Sequence, residues 1–342
     1  MFNHRGLTRS GSRVPIRAAF QGRWCTTAMH RVVEGFTSGV GSRAPGRRAG
    51  VDTSLTFVGT ATVILRLGRF RLLTDPNFLH RGQRARLGWG LSSRRRTDPA
   101  LDIDQLPRLD AVVLSHLHGD HFDDVARDGL DRSVPVLTTP HARRRLRRWG
   151  FEAATGLETW DSWELGDDEE RVRITSVPAR HGPVGVHRLL PPVQGTVIDH
   201  ERRGRRVLRL YITGDTVLVP ELREIRDRFG DIDVMVAHLG GTRVGGVLVT
   251  LDASQGSDLV EMVGPGRVVP VHFDDYDVFR SPLTHFLEEM RARGMGDRVR
   301  VVGRGDTVEL PPSTGRWVAA SPGPGTGSAN APGTPFDALP PR

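Results

Sequence analysis

The sequence predicts an α/β fold of four layers, with two β-sheets face to face between outer layers of helix. Three observations carry this. Short apolar runs come first as a meander, SLTFVG, TVILRLG and FRLLTDP, joined by tight glycine-containing turns. Later runs alternate with helical patterns, which favours two sheets covered by helices over a single doubly wound sheet. At least four apolar runs also end in a histidine or aspartate: His116, His181, Asp215 and His272.

Taken in order, the meander gives three strands, and DAVVLSH (110–116) is a buried strand running into a histidine-rich turn. VRITSVPA (172–179) is another, stopping at Arg180 and His181. VLRLYITGD (207–215), IDVMVAHLGG (232–241) and RVVPVHFDD (267–275) repeat the pattern. Helical spacing appears in HARRRLRRWG (141–150), PELREIRDRF (220–229), ASQGSDLVEMVG (253–264) and PLTHFLEEMRARG (282–294). Strand C-termini in α/β folds gather at one edge, so four polar strand ends can meet there although far apart in sequence.

Composition sets the boundaries. Residues 1–50 are rich in Gly, Arg and Ser without periodicity and are expected to be a disordered basic leader. Residues 311–342, Pro/Gly-rich, are expected to be a disordered tail. The folded domain is therefore expected over 51–310. The formal charge of +8 belongs to the leader, which holds nine arginines and one acid, Glu34. The remaining 39 basic and 39 acidic residues cancel, so a broad nucleic-acid footprint is not expected. Every basic residue is Arg, which reads as coding bias. The single cysteine, Cys25, excludes an intrachain disulfide and fits a reducing, cytoplasmic location. No apolar run reaches the roughly 18 residues of a membrane span.

The chemistry concentrates in SHLHGDHFDD (115–124). Its pattern is H-x-H-x-D-H, formed by His116, His118, Asp120 and His121. On an extended strand end, residues two apart share a face, which directs His116 and His118 to one point. Asp120 and His121 follow the turn at Gly119 and face a second point nearby. Imidazole and carboxylate without thiolate suit Zn, Fe, Mn or Ni, with Zn the default. Asp123 and Asp124 fall outside the pattern and are expected to be carboxylates at a helix N-terminus.

Over residues 52–310 the chain resembles the metallo-β-lactamase superfamily, on the strength of the H-x-H-x-D-H motif, VPARHG, ITGD and VPVHFDD. The resemblance implies one metal held by His116, His118 and His181, a second by Asp120, His121 and His272, and Asp215 between them. FVGTATVILRLGRFRLLTDP also looks like the opening of a narrower group. That group includes N-acylphosphatidylethanolamine-hydrolysing phospholipase D and ascorbate-6-phosphate lactonase relatives. There Asp75, in the TDP turn, would stand behind the ligands and orient a histidine through its other ring nitrogen. The final histidine stands in HFDD, where the phospholipase has an aromatic-glycine turn, and the residues after His181 differ too.

The function expected is a binuclear metal-dependent hydrolase. Two divalent ions about 3.5–4 Å apart, Zn first and Mn or Fe as alternatives, lower the pKa of a shared water toward 7. The resulting bridging hydroxide attacks phosphorus or a carbonyl carbon, and Asp120, which also accepts its proton, is the expected catalytic residue. A phosphodiester of phospholipid type is the leading substrate, with a lactone, thioester or other carbonyl ester as the alternative. A metal-binding sensor and a nucleic-acid-processing protein are the readings from other classes. The expected partner is a small-molecule or lipid-like substrate, with peripheral membrane contact through RGQRARLGWGLSSRRR (81–96), whose six arginines interleave with Leu87, Trp89 and Leu91. That segment reads as a loop near the cleft that holds a phosphate or leans on an anionic membrane surface, and equally as a solvated connector. His80, after the TDP turn, and His238, ending a strand-like run, are expected substrate contacts. His187, His200 and His285 read as surface or structural residues.

Overall fold

The computed structural model describes residues 53–88 and 90–310. The expected leader (1–50) and tail (311–342) lie outside the described residues, as does Trp89. The chain opens with β1 (Thr53–Gly59), β2 (Thr62–Leu67) and β3 (Phe70–Thr74), then β4 (Arg84–Gly88), β5 (Leu91–Arg94) and β6 (Ala111–Val113). Next come α1 (Asp124–Gly129), β7 (Val136–Thr138), α2 (Pro140–Arg148), β8 (Ala154–Gly156), β9 (Ser162–Gly166) and β10 (Glu170–Val177). β11 (Gly195–Arg202), β12 (Arg205–Ile212), α3 (Arg223–Phe229), β13 (Val234–His238), β14 (Arg243–Val244) and β15 (Val247–Leu248) follow. The described chain closes with α4 (Ala253–Val263), β16 (Arg267–Val271), α5 (Leu283–Ala292) and β17 (Thr307–Glu309).

The strands form two large sheets, ordered β17-β1-β2-β3-β6-β7-β8 and β16-β13-β12-β11-β10-β9. Period-2 alternation decides where each side chain goes. On β6, Ala111 and Val113 enter the core between the sheets, whereas Val112 joins Ala126 of α1 and Leu146 of α2 on the outer face. On β13, Val234 and Val236 enter the central core, and Met235 and Ala237 pack with Leu259 of α4 and Phe286 of α5. Strands buried on both faces have no polar side to show, which is why they read as unbroken apolar runs. The result is the expected four-layer αββα sandwich, with α1 and α2 on one face and α3, α4 and α5 on the other.

Direction matters more for function than strand count. β3, β6, β7 and β8 run parallel in the first sheet. In the second, β12, β13 and β16 are parallel, and β10 shares their direction because two antiparallel pairings separate it from β12.

The segment 81–96, expected as a loop or connector, has regular structure over most of its length. It is the antiparallel hairpin β4–β5, pairing Arg84 with Arg94 and Ala85 with Ser93. The hairpin lies on the histidine-rich turn, with Gly119 N donating to Arg86 O at 2.8 Å. A Cβ at Gly119 would stand 2.6 Å from Arg86 N and 2.7 Å from Arg86 O, so only glycine admits this backbone-to-backbone contact.

Candidate metal centre

Each histidine or carboxylate of the cluster sits at or just after a strand C-terminus. Asp75 follows β3, His116 to His121 follow β6, His181 follows β10 and Asp215 follows β12. His238 is the last residue of β13, and His272 comes directly after β16. Asp75 and His272 hold positive φ, 35° and 60°. Such strain in non-glycine residues concentrates at sites where side-chain aim outweighs backbone comfort.

The side chains converge in two sets. One contains His116, His118 and His181, and the other Asp120, His121 and His272; within each, the ligand atoms lie within 4.8 Å of one another. In the first set His116 Nε2 stands 3.0 Å from His118 Nδ1, which is 3.3 Å from His181 Nε2. In the second, His121 Nε2 is 3.1 Å from His272 Nε2, itself 3.6 Å from Asp120 Oδ2. Asp215 joins the two, grouping with His116 and His121 and placing Oδ2 3.2 Å from His121 Nε2. All these residues are buried.

The opposite ring nitrogens are fixed from behind. His181 Nδ1 donates to Val249 O at 2.8 Å and His272 Nδ1 to Leu239 O at 3.0 Å. A carbonyl only accepts, so each ring turns an unprotonated Nε2 toward the cluster when neutral. Ser115 Oγ lies 3.0 Å from His116 Nδ1, and Asp75 Oδ2 lies 3.3 Å from His121 Nδ1. Asp75 thus stands behind His121, and its other oxygen accepts from Ser115 N at 2.7 Å.

Electrostatics divides the cluster. Burial, reinforced by neighbouring histidines, holds His116 well below the usual histidine range and His118 at about 3, and burial lowers His181 too. At His121 and His272 burial is outweighed by carboxylates, Asp215 foremost, and both are raised. Asp120, despite burial, is held at about 2 by His121 and His272. The donor set fits divalent cations. Ring nitrogens face one another at hydrogen-bond distance, where two lone pairs repel unless a proton or cation lies between. Asp120 Oδ1 is buried without a hydrogen-bond partner, which a cation would satisfy.

Two expected substrate contacts are placed elsewhere. His80 is half-exposed and pairs with Asp98 at 3.3 Å and Asp102 at 2.8 Å. His238 is fully buried beneath the cluster, its Nδ1 3.4 Å from Asp215 Oδ1 and its ring stacked on His121 and His272. It ends its strand as expected, and it does not line the cavity over the cluster. Asp123 caps α1 by accepting from Ala126 N at 2.7 Å. It also accepts from Phe78 N and Leu79 N at 2.5 and 2.7 Å, tying the meander to the histidine turn.

Sequence reasoning missed the support behind His272. Asp275 accepts from Thr60 N at 2.8 Å and Arg304 Nε at 3.1 Å, beside the fully buried Arg95. The HFDD that breaks the phospholipase pattern is thus an anchor between the last ligand, the first turn and the hairpin. A buried arginine inside an arginine-rich segment left no signal. Also missed was the cavity of about 420 Å³ over the cluster, with His118, Asp120 and His181 at its base and Leu87, Leu91 and Leu189 in its walls.

Residues 71–273 match the model of the Beta-lactamase superfamily domain. A metal-dependent hydrolase of Deinococcus radiodurans is 26% identical over 256 residues, covering 74% of this chain and 97% of its own. One from Salinibacter ruber is 27% identical, covering 75% and 99%. Among solved structures, an isothiocyanate hydrolase from Delia radicum gut bacteria aligns with a TM-score of 0.64 at 21% identity, covering 76% of this chain and 99% of that one. A possible metal-dependent hydrolase from Veillonella parvula gives the same TM-score and identity over 75% and 99%. No helix among the described residues is long and apolar enough to cross a membrane. The matched span takes in the whole cluster from Asp75 to His272, and the chain belongs to the β-lactamase superfamily.

Proposed function

We propose that this chain, a metal-dependent hydrolase of the metallo-β-lactamase fold, works with two divalent cations on a phosphodiester bearing an apolar substituent. The pair of adjoining donor triads supports this reading above all else. His116, His118 and His181 would hold one ion, and Asp120, His121 and His272 the other, with Asp215 between. Zn suits this donor set best, and Mn or Fe also suit it. When bound, such a pair lowers the pKa of water and polarises the oxygen of the electrophile.

The chain's own groups account for the rest. Asp75, Ser115, Val249 O and Leu239 O hold the imidazoles in register. Asp120 lines the cavity, and on this reading it takes the proton of the attacking water. The water oxygen bonds to phosphorus, the P–O ester bond breaks, and the departing alcohol leaves with the proton. Two dications against Asp75, Asp120 and Asp215 leave the centre net positive, which favours an electrophile that is itself an anion.

A second reading, a lactone, thioester or other carbonyl ester, is supported by the leucine-rich cavity walls, which suit an uncharged group. The isothiocyanate hydrolase structure, named for an uncharged electrophile, lends it some weight. The narrower kinship with the phospholipase and lactonase group rests on the opening segment, and a cytoplasmic location on the single cysteine.

The purified protein is expected to carry about two metal ions per chain. Asp120→Ala and His181→Ala should each lose metal and turnover together. Bis(p-nitrophenyl) phosphate set against a simple lactone separates the two readings. Absence of metal after purification in metal-replete buffer would refute the binuclear centre, and metal without turnover of either compound would favour a sensor.

A further inference from the structure

The surface over the cluster is divided by charge. The 420 Å³ cavity above Asp120 has, besides the cluster residues, one charged side chain, Arg243. A second cavity of about 640 Å³ lies against the same His181. Leu87, Leu189 and Leu190 line both and form the partition between them. This second cavity is lined by Arg180, Arg188, His141 and His187 and by no acid.

Arg180 is held in place there. Its backbone N donates to Thr216 Oγ1 at 2.9 Å, and its carbonyl accepts from Val217 N at 2.9 Å. Its Nη1 lies 3.7 Å from Glu221, which is half-exposed, so that ion pair is screened. Its Nε is buried without a hydrogen-bond partner. The side chain as a whole is 26% exposed, so the rest of its guanidinium remains open to an anion in the cavity. Leu91, on the other side of the partition, is 49% exposed, and Leu189, in the partition itself, is 60% exposed. Large apolar side chains left bare at the mouth of a cleft are a mark of ligand contact.

We propose that the acid-free cavity beside His181 binds an anionic substituent of the substrate, a carboxylate, sulfonate or phosphate group separate from the bond that is cleaved. Arg180 and Arg188 recognise the charge, and the apolar remainder crosses the leucine partition to lie over Asp120. The word substrate rests on the hydrolase reading above; the binding site does not. His187, expected to be a surface residue, is a wall of this subsite.

The test uses two fluorescent dyes that differ by one sulfonate, anilinonaphthalene sulfonate and uncharged phenylnaphthylamine, titrated into the full chain. The sulfonate is expected to bind about tenfold more tightly than the uncharged dye. Arg180→Gln with Arg188→Gln should bring the two to within about twofold, with the uncharged dye unaffected and metal content retained, which also shows that the variant is folded. Arg188→Gln alone should give part of the loss. Equal binding of the dyes by the unaltered protein would overturn the proposal. So would an unchanged sulfonate affinity in the double variant, which would put the anion on the metals. Neither readout needs turnover, so failure of the hydrolase reading would leave the dye result standing.

Discussion

At His121 and His272 the carboxylates of Asp215, Asp75 and Asp120 outweigh burial, and both imidazoles hold a proton more tightly than a free histidine does. His116, His118 and His181 are the reverse case, neutral near pH 7 because burial wins. A cation entering the first group must displace protons, and one entering the second need not. The sign follows: acidification weakens the Asp120–His121–His272 triad while the other still binds. Dialysis from about pH 7.5 to about pH 5.5 should therefore strip one metal ion and leave the other, followed by metal analysis. Simultaneous loss of both would count against the separation. The candidate histidines were legible because His116, His181 and His272 each close an apolar run and His118 and His121 complete the motif that His116 begins. His238 closes such a run too, yet a sequence shows where a strand ends and not how deep that end lies.

Among the elements, the β4–β5 hairpin shapes the cavity and was the hardest to read. Its strands carry arginines where a sheet strand would carry apolar residues, because they pair only with each other and only one side meets the protein. Leu87 and Leu91 were visible, but nothing showed that they face the histidine turn. The contact turns on Gly119, whose Cα lies against the backbone of Arg86. Gly119→Ala should destabilise the protein by about 1–3 kcal/mol through overpacking. It should also lift the hairpin, so that trypsin cuts after Arg84 or Arg86 sooner than in the unaltered chain. A variant with the original trypsin resistance would show that the hairpin is held elsewhere. Helices α2, α4 and α5 were legible nearly to their ends, since each turns buried apolar residues toward a sheet.

Across the whole molecule, the four-layer plan was readable from the order of runs, whereas β7, β8, β9 and β11 were not. β11 is polar from Asp199 to Arg202 and has only Val197 and Ile198 as an apolar run, and β7 and β8 have only three residues each. What the plan achieves is that strand ends from both sheets meet at one edge, each triad drawing donors from both. Seen as chain topology, a cation in either triad is a cross-link. His118 and His181 are 63 residues apart, and His121 and His272 are 151 apart. Long closures of this kind form late, after both sheets are in place. Metal should accordingly slow unfolding and leave the folding rate nearly unchanged, and stopped-flow refolding with and without chelator would show it. The cations would then set how long the fold lasts and have little part in how quickly it is reached.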